Sequence, residues 1–352
     1  MQAVPSKTLI VRFSSVGDIV LSTPLIRLLR RRFPECQIDY VTRAEYADLL
    51  RANPYLTTLI EFPSGGTFQD LARLRSRIRA SHYDLILDIH DSLRSRYLTP
   101  GAGRLRRIHK RKIPRWILVH WKKDLYHRFG GVVDALGRYL ETAAPLGITD
   151  DGEGTEIFVP ADTEQRVADL LAVSGLRTGV PWIGVCPSAR HATKQWPARR
   201  FAEASAALAR ASGASILLFG SAVESERCRA VGEEILTAAP GATVVDLSGR
   251  LTLLESASAL GRCDVVLTND SGLMHIAAAR KRKIVALFGS TTRQLGFFPP
   301  PGQSIVVENT GLECRPCSHI GRASCPLGHF RCMEDIPASR VVEALHRQLA
   351  RS

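Results

Sequence analysis

Short apolar runs alternate with stretches of helical period along the whole chain. Residues 8–13, 38–42, 59–62 and 84–89 are strand-length and almost unbroken in their apolar character, as strands buried on both faces are. The interval 14–22 predicts a loop. A helix then begins at Thr23, with Thr23 as N-cap and Pro24 in the first turn. Leu25, Leu28 and Leu29 mark its inward face before the basic run of Arg30, Arg31 and Arg32. Residues 68–80 predict a further helix, one that carries four arginines. An acidic, glycine-containing stretch at 151–154 opens a connection, and the alternation then resumes. Helices are predicted over 163–174, 201–212, 224–236, 253–260 and 272–279. Strands are predicted over 182–187, 215–219, 243–246, 264–268 and 283–288, and an amphipathic helix over 338–349 closes the chain. Repeated strand–helix winding predicts an α/β protein of two Rossmann-like, doubly wound domains. The expected division is 1–160, 161–335 and a C-terminal helix within 336–352.

Length agrees with that division, because 352 residues exceed one typical hydrophobic core. The longest apolar runs, 216–219 and 284–288, are strand-sized, so no membrane span is predicted. The first apolar stretch, 8–11, ends at Arg12 and is too short for the core of a signal peptide, so a cytoplasmic location is expected. The formal net charge of +13 implies an acidic partner: nucleic acid, an anionic membrane or a phosphorylated substrate. Much of the excess lies in Arg104, Arg106, Arg107, Lys110, Arg111, Lys112 and Arg115, a run that reads equally well as a solvated loop. A nucleic-acid-binding protein is disfavoured, since the run has no interleaved aromatics before Trp116 and no reading module is recognisable. Among the 8 cysteines, Cys36, Cys186, Cys228 and Cys263 sit in apolar contexts and read as buried thiols. Cys314, Cys317, Cys325 and Cys332 cluster. Their first pair has zinc spacing but the second does not repeat it, so free thiols are the default and structural zinc the alternative.

Three segments follow predicted strands, where open α/β sheets bind ligands. The first is Ser14, Ser15, Val16, Gly17 and Asp18, whose small residues allow close approach of a substrate and whose aspartate supplies a carboxylate. The second holds Ser188, Arg190, Thr193 and Lys194, hydroxyls with two cations. The third is Asn269, Asp270, Ser271 and Gly272 at a helix start, a natural phosphate site. Taken singly, each has a plainer reading: Asp18 as a turn residue, Asn269 to Ser271 as caps, Lys194 as a surface lysine, His275 as packing. Their combination favours an enzyme. Neither a Gly-x-Gly-x-x-Gly fingerprint after the first strand nor a P-loop is present, so nicotinamide dehydrogenases and P-loop enzymes are disfavoured.

The strings LIVRFSSVGDIVLSTP (9–24), PSARHATKQWPARRF (187–201), LTNDSGLMHIAAA (267–279), ALFGST (286–291) and CPLGHFRCM (325–333) occur in that order. Together they resemble glycosyltransferase family 9, the ADP-heptose:lipopolysaccharide heptosyltransferases. The resemblance implies a GT-B architecture, with two Rossmann-like domains facing a central cleft. It also implies a nucleotide-sugar donor, an anionic lipid-linked acceptor (Kdo-lipid A or heptosylated core) and work at the inner-membrane surface, with no cofactor. By position, Asp18 matches the family's catalytic base and Lys194 the lysine at the donor diphosphate. Asp270, Ser271, Gly272 and His275 match the helix start beside that diphosphate, and Glu224 the acid that holds the adenosine ribose. Ser188 and Thr193 join the donor candidates. Ser14, Ser15, Gly17, Arg94, Arg107 and Lys110 are the acceptor candidates. A lysine with a helix dipole can meet the charge of the leaving diphosphate, so inverting, metal-independent transfer is expected. The alternatives are a nucleotide-sugar epimerase of the same architecture and a family 9 transferase for another surface glycan.

Overall fold

Apolar runs buried on both faces become two all-parallel sheets in the computed structural model, which describes residues 4–351. The first contains β1 (Lys7–Val11), β2 (Gln37–Arg43), β3 (Thr58–Phe62), β4 (Leu85–Asp88) and β5 (Arg104–Arg107) in the order β3-β2-β1-β4-β5. Leu9, Val11, Val41, Ile60 and Ile86 pack there against Leu71, Leu74 and Ile78 of the helix Phe68–Ala80. A reciprocal cap starts that helix. The Thr67 hydroxyl accepts from the Asp70 N–H at 3.3 Å, and the Asp70 carboxylate accepts from the Thr67 N–H at 2.8 Å. Because β1 lies between β2 and β4, the chain winds first to one side and then to the other. The loops after β1 and β4 therefore meet at the switch point, where such sheets bind ligands.

The second sheet contains β6 (Trp182–Cys186), β7 (Ser215–Leu218), β8 (Thr243–Asp246), β9 (Val265–Asn269), β10 (Lys283–Phe288) and β11 (Ser304–Glu308), ordered β11-β10-β9-β6-β7-β8. Its switch point falls between β6 and β9, which brings together the loops after those two strands. Val341, Ala344 and Leu345 of the last helix, Ala338–Ala350, pack into the core of this sheet. The first compact unit runs to Lys112 and resumes over Val133–Phe158. The second comprises Ile113–Val132 and the chain from Val159 onward.

The acidic stretch at 151–154 is held by a buried arginine. Arg27, 1% exposed, donates from Nε and Nη2 to Asp151 at 2.9 and 2.8 Å, from Nη2 to the Gly154 carbonyl, and pairs with Glu156 at 2.8 Å. Removing one partner of such a group strands the others, a loss on the order of 3 kcal/mol. Arg27→Ala is accordingly expected to lower the thermal midpoint of the first unit, as read by calorimetry.

Three expectations are corrected. Residues 14–22 do not form a loop: a helix occupies Val16–Leu21, and a second follows at once over Thr23–Arg32. Thr23 is the first helical residue and not the cap; its hydroxyl donates to the Val20 carbonyl at 2.8 Å, and Ser22 takes the cap position. The basic run is a loop only at Lys110 and Arg111. Arg104–Arg107 is the edge strand β5, and Lys112–Trp121 is a helix. An edge strand pairs on one side only, so it can be built from arginines with no apolar alternation to reveal it. Among the described residues, no helix is long and apolar enough to cross a membrane.

Candidate active site

Asp18 lies in the first turn of the helix Val16–Leu21, immediately beyond β1. Its Oδ2 accepts from the Ser15 N–H at 3.1 Å and the Ser15 hydroxyl at 2.9 Å, and pairs with Arg12 Nη2 at 2.7 Å. Its Oδ1 accepts from the Tyr139 hydroxyl at 2.8 Å. Arg12 is itself fixed, donating from Nε to the Ser14 carbonyl and from Nη1 to the Ile89 carbonyl, both at 2.6 Å, with its guanidinium 5.5 Å from the Tyr139 ring centre. Burial pushes the Asp18 carboxyl upward. The Arg12 charge and the bonds from Ser15 and Tyr139 outweigh it and hold the group at about 2. The carboxylate is thus ionised, oriented and still 16% exposed.

The loop after β4 completes this end of the sheet. His90 packs edge-on to Phe13 at 5.7 Å, and its buried Nδ1 has no hydrogen-bond partner among the described residues. Burial first, then the charges of Arg12 and Lys110, lower its pKa to about 3, so the imidazole is neutral at physiological pH. Arg94 is exposed and lines a cavity of about 420 Å³ with Phe62, Thr67, Phe68 and Tyr97. Lys110 donates to the Asp91 carbonyl at 2.9 Å. Arg107, exposed at the sheet edge, donates from Nη2 to the Thr99 hydroxyl at 3.0 Å, and its Nε lies 3.4 Å from the fully buried Asp88 carboxylate. Of the acceptor candidates, Ser14, Ser15 and Lys110 thus sit on loops beyond the strand ends, and Gly17 and Arg94 in the first turns of the helices Val16–Leu21 and Leu93–Leu98 that follow β1 and β4. Arg107 is tied into the sheet edge.

In the second unit, Lys194 Nζ lies 2.7 Å from Asp270 Oδ2, and the same oxygen accepts from the Thr291 hydroxyl at 2.7 Å. Ser271 occupies the cap position of the helix Gly272–Ala279, its hydroxyl 3.3 Å from that of Thr268. The peptide N–H groups of that helix start converge beside the Lys194–Asp270 pair, a cationic end suited to a phosphate. Ser188 Oγ is buried without a hydrogen-bond partner among the described residues. Glu224 accepts from the Ser221 N–H at 2.8 Å and its hydroxyl at 2.7 Å, capping the turn after β7. Thr193 exchanges hydrogen bonds with the Arg322 backbone, and His275 is 5% exposed within its helix.

A profile for glycosyltransferase family 9 (heptosyltransferase) matches residues 71–327. The chain belongs to that family. The lipooligosaccharide heptosyltransferase 2 of Haemophilus influenzae is 29% identical to this transferase, covering 97% of this chain and 99% of the relative. The lipopolysaccharide heptosyltransferase 2 of Escherichia coli is 28% identical, covering 97% and 98%. Among solved structures, the ADP-heptose lps heptosyltransferase II of E. coli superposes with a TM-score of 0.71 at 26% identity, covering 97% of this chain and 98% of that one. A family 9 glycosyl transferase from Veillonella parvula reaches 0.82 at 21% identity, covering 99% and 98%, and so shares the fold. The family 9 transferase therefore has the α/β architecture of GT-B heptosyltransferases.

Several positioning groups of the transferase carry little sequence signal. Asn269 does not cap the third segment: fully buried, it donates to the Pro187 carbonyl at 2.9 Å and accepts from the Trp196 N–H at 2.9 Å, clasping the loop after β6. Arg227 donates to the same Pro187 carbonyl and to the Trp196 carbonyl. Arg315 reaches the Phe288, Gly289 and Thr291 carbonyls and the Glu308 carboxylate, fixing the loop that presents Thr291 to Asp270. Tyr139 is 121 residues from Asp18 and no spacing rule connects them. Arg12 was findable as a charge at the end of a buried apolar strand. Cys36, Cys186, Cys228 and Cys263 are buried free thiols. Cys314, Cys317, Cys325 and Cys332 are free thiols too, with Cys314 Sγ 3.9 Å from His329 Nε2. Among the described residues, no group of three or more His, Cys, Asp or Glu is placed to hold a metal ion.

Proposed function

We propose that this transferase moves heptose from ADP-heptose to an anionic, lipid-linked acceptor of the lipopolysaccharide inner core, with inversion and without a catalytic metal. The observation that carries the reading is Asp18: an oriented, ionised carboxylate beyond β1, in a family whose relatives are named for heptosyl transfer. The acceptor hydroxyl oxygen attacks the anomeric carbon and its proton passes to the Asp18 carboxylate. The bond from that carbon to the diphosphate breaks, and ADP leaves. A single displacement of this kind inverts the anomeric centre. Lys194 and the N–H groups at the start of Gly272–Ala279 stabilise the departing charge without reorganising, the task often given to Mg²⁺. Ser188, Thr193, Asp270, Ser271 and His275 line the donor position, and Glu224 takes the ribose hydroxyls. Ser14, Ser15, Gly17, Arg94 and Lys110 receive the acceptor, and Arg107 holds the strand beneath them. The enzyme works in the cytoplasm against the inner-membrane surface, where a lipid-linked acceptor resides.

The test is transfer from ADP-heptose to Kdo-lipid A and, separately, to heptosylated core in the presence of EDTA, with product configuration read by NMR. Inverted product, and donor unchanged when acceptor is omitted, is the expected result. Conversion of donor alone would indicate an epimerase. A pH profile adds a second check. A carboxyl held at about 2 is ionised throughout the assay range, so kcat is expected to show no acid limb from Asp18 between about pH 5 and 8. An acid limb in that range traced to Asp18 would contradict a carboxyl held that low, though not its use as the base. The same depression stabilises the fold above the ordinary carboxyl pKa, and that contribution disappears as pH falls towards 2.

A further inference from the structure

The helix Lys112–Trp121 turns an apolar face outward. Pro114, Leu118 and Val119 are buried, and Leu118 joins Tyr126, Leu295 and Phe297 in a small core. On the opposite side, Ile113, Trp116 and Trp121 are 63%, 49% and 60% exposed. Their spacing, with Ile117 and His120 between them, places all five on one helical face. The rings are organised. Trp116 stacks on His120 at 4.8 Å and meets Trp121 edge-on at 5.2 Å. Phe129 and Val132, 37% and 47% exposed, follow in the same segment. A surface helix normally turns its polar side to water, and a contiguous exposed patch of large apolar groups marks an interaction site.

Charge identifies the occupant. Between 112 and 128 the chain carries Lys112, Arg115, Lys122, Lys123 and Arg128 against one carboxylate, Asp124; Lys122 is bound to the Val119 and Pro316 carbonyls, and Lys123 and Arg128 are exposed. Indole rings flanked by cations match the boundary between anionic headgroups and acyl chains, where one end of the ring is apolar and the other wet. A second copy of the chain would instead bring like charges together around the same rings. We propose that this helix and the turn after it dock the enzyme on an anionic phospholipid surface, the tryptophans entering the headgroup layer and the exposed Lys123 and Arg128 facing the phosphates. The inference rests on the proposed use of a lipid-linked acceptor for its purpose, but its physical basis is the helix and that turn alone.

Flotation of the full-length protein with vesicles of phosphatidylcholine, and of phosphatidylcholine mixed equally with phosphatidylglycerol, tests it. Wild type is expected to float with the anionic vesicles and not the neutral ones, with a blue shift of tryptophan emission. Ile113→Ser/Trp116→Ser/Trp121→Ser is expected to reduce that partition at least about tenfold while leaving transfer to a delipidated, water-soluble acceptor unchanged. Lys123→Glu/Arg128→Glu, which spares the rings, is expected to abolish the preference for anionic vesicles. Equal flotation by the triple variant and wild type would overturn the proposal. So would dimerisation that the triple variant abolishes in a protein that never floats. Flotation without transfer to any acceptor would leave the docking standing and remove the enzymatic reading instead.

Discussion

Asp18→Ala is expected to cut kcat by about 10²–10⁴-fold while leaving the affinity for ADP-heptose nearly unchanged, read by steady-state kinetics beside donor calorimetry. The separation follows from where the residue sits. Asp18 belongs to the first unit and takes its partners, Arg12, Ser15 and Tyr139, from that unit alone, whereas the candidate donor groups lie in the second. The variant also strands the Arg12 guanidinium, which is 9% exposed, so some stability is lost as well. Asp18→Asn keeps the side-chain volume and separates the two effects. If turnover collapses while the thermal midpoint is largely preserved, the missing charge is responsible.

Lys194→Ala is expected to reduce kcat/KM by about 10²–10³-fold and to weaken donor binding. Two consequences add. The departing diphosphate loses its cation, and Asp270, with a side chain 5% exposed, loses the ammonium 2.7 Å away and keeps only the Thr291 hydroxyl. An unpaired carboxylate beside an incoming diphosphate repels it. Asp270→Asn in the Lys194→Ala background is therefore expected to recover part of the lost donor affinity. That recovery, measured as the coupling in a double-mutant cycle, distinguishes a pair that tunes a phosphate site from a lysine that merely packs.

What could be read in the sequence divides along a physical line. Strands such as β1, β6, β9 and β10 are covered on both faces, so each is an unbroken apolar run visible without any structure. The arginine-built β5 is paired on one side only and carries no such signature. The helix Val16–Leu21 is six residues long, and its Ser15-to-Asp18 spacing was the sole sign of a helix start inside what reads as a glycine loop. Likewise, Ser15 as a partner of Asp18 is a matter of local spacing. Tyr139 is a partner only because the chain returns over Val133–Phe158, whereas Arg12 is a near neighbour in sequence, visible as a charge closing an apolar strand. The donor candidates Lys194 and Asp270 meet because β6 and β9 flank the switch point, which is a property of strand order and not of either segment. Asn269 reads as a cap and proves to be a clasp, since the carbonyl and amide it joins come from the two ends of the loop after β6, 82 and 73 residues earlier.

A single-turnover comparison of wild type and Asp18→Asn, at stoichiometric ADP-heptose with excess acceptor and EDTA, tests the role of the carboxylate most directly. Wild type is predicted to release one ADP for each heptosyl product formed. The variant should bind donor as tightly but form neither product nor ADP over the same interval. Equal product from the two proteins would contradict the assignment of Asp18 as the group that takes the acceptor proton.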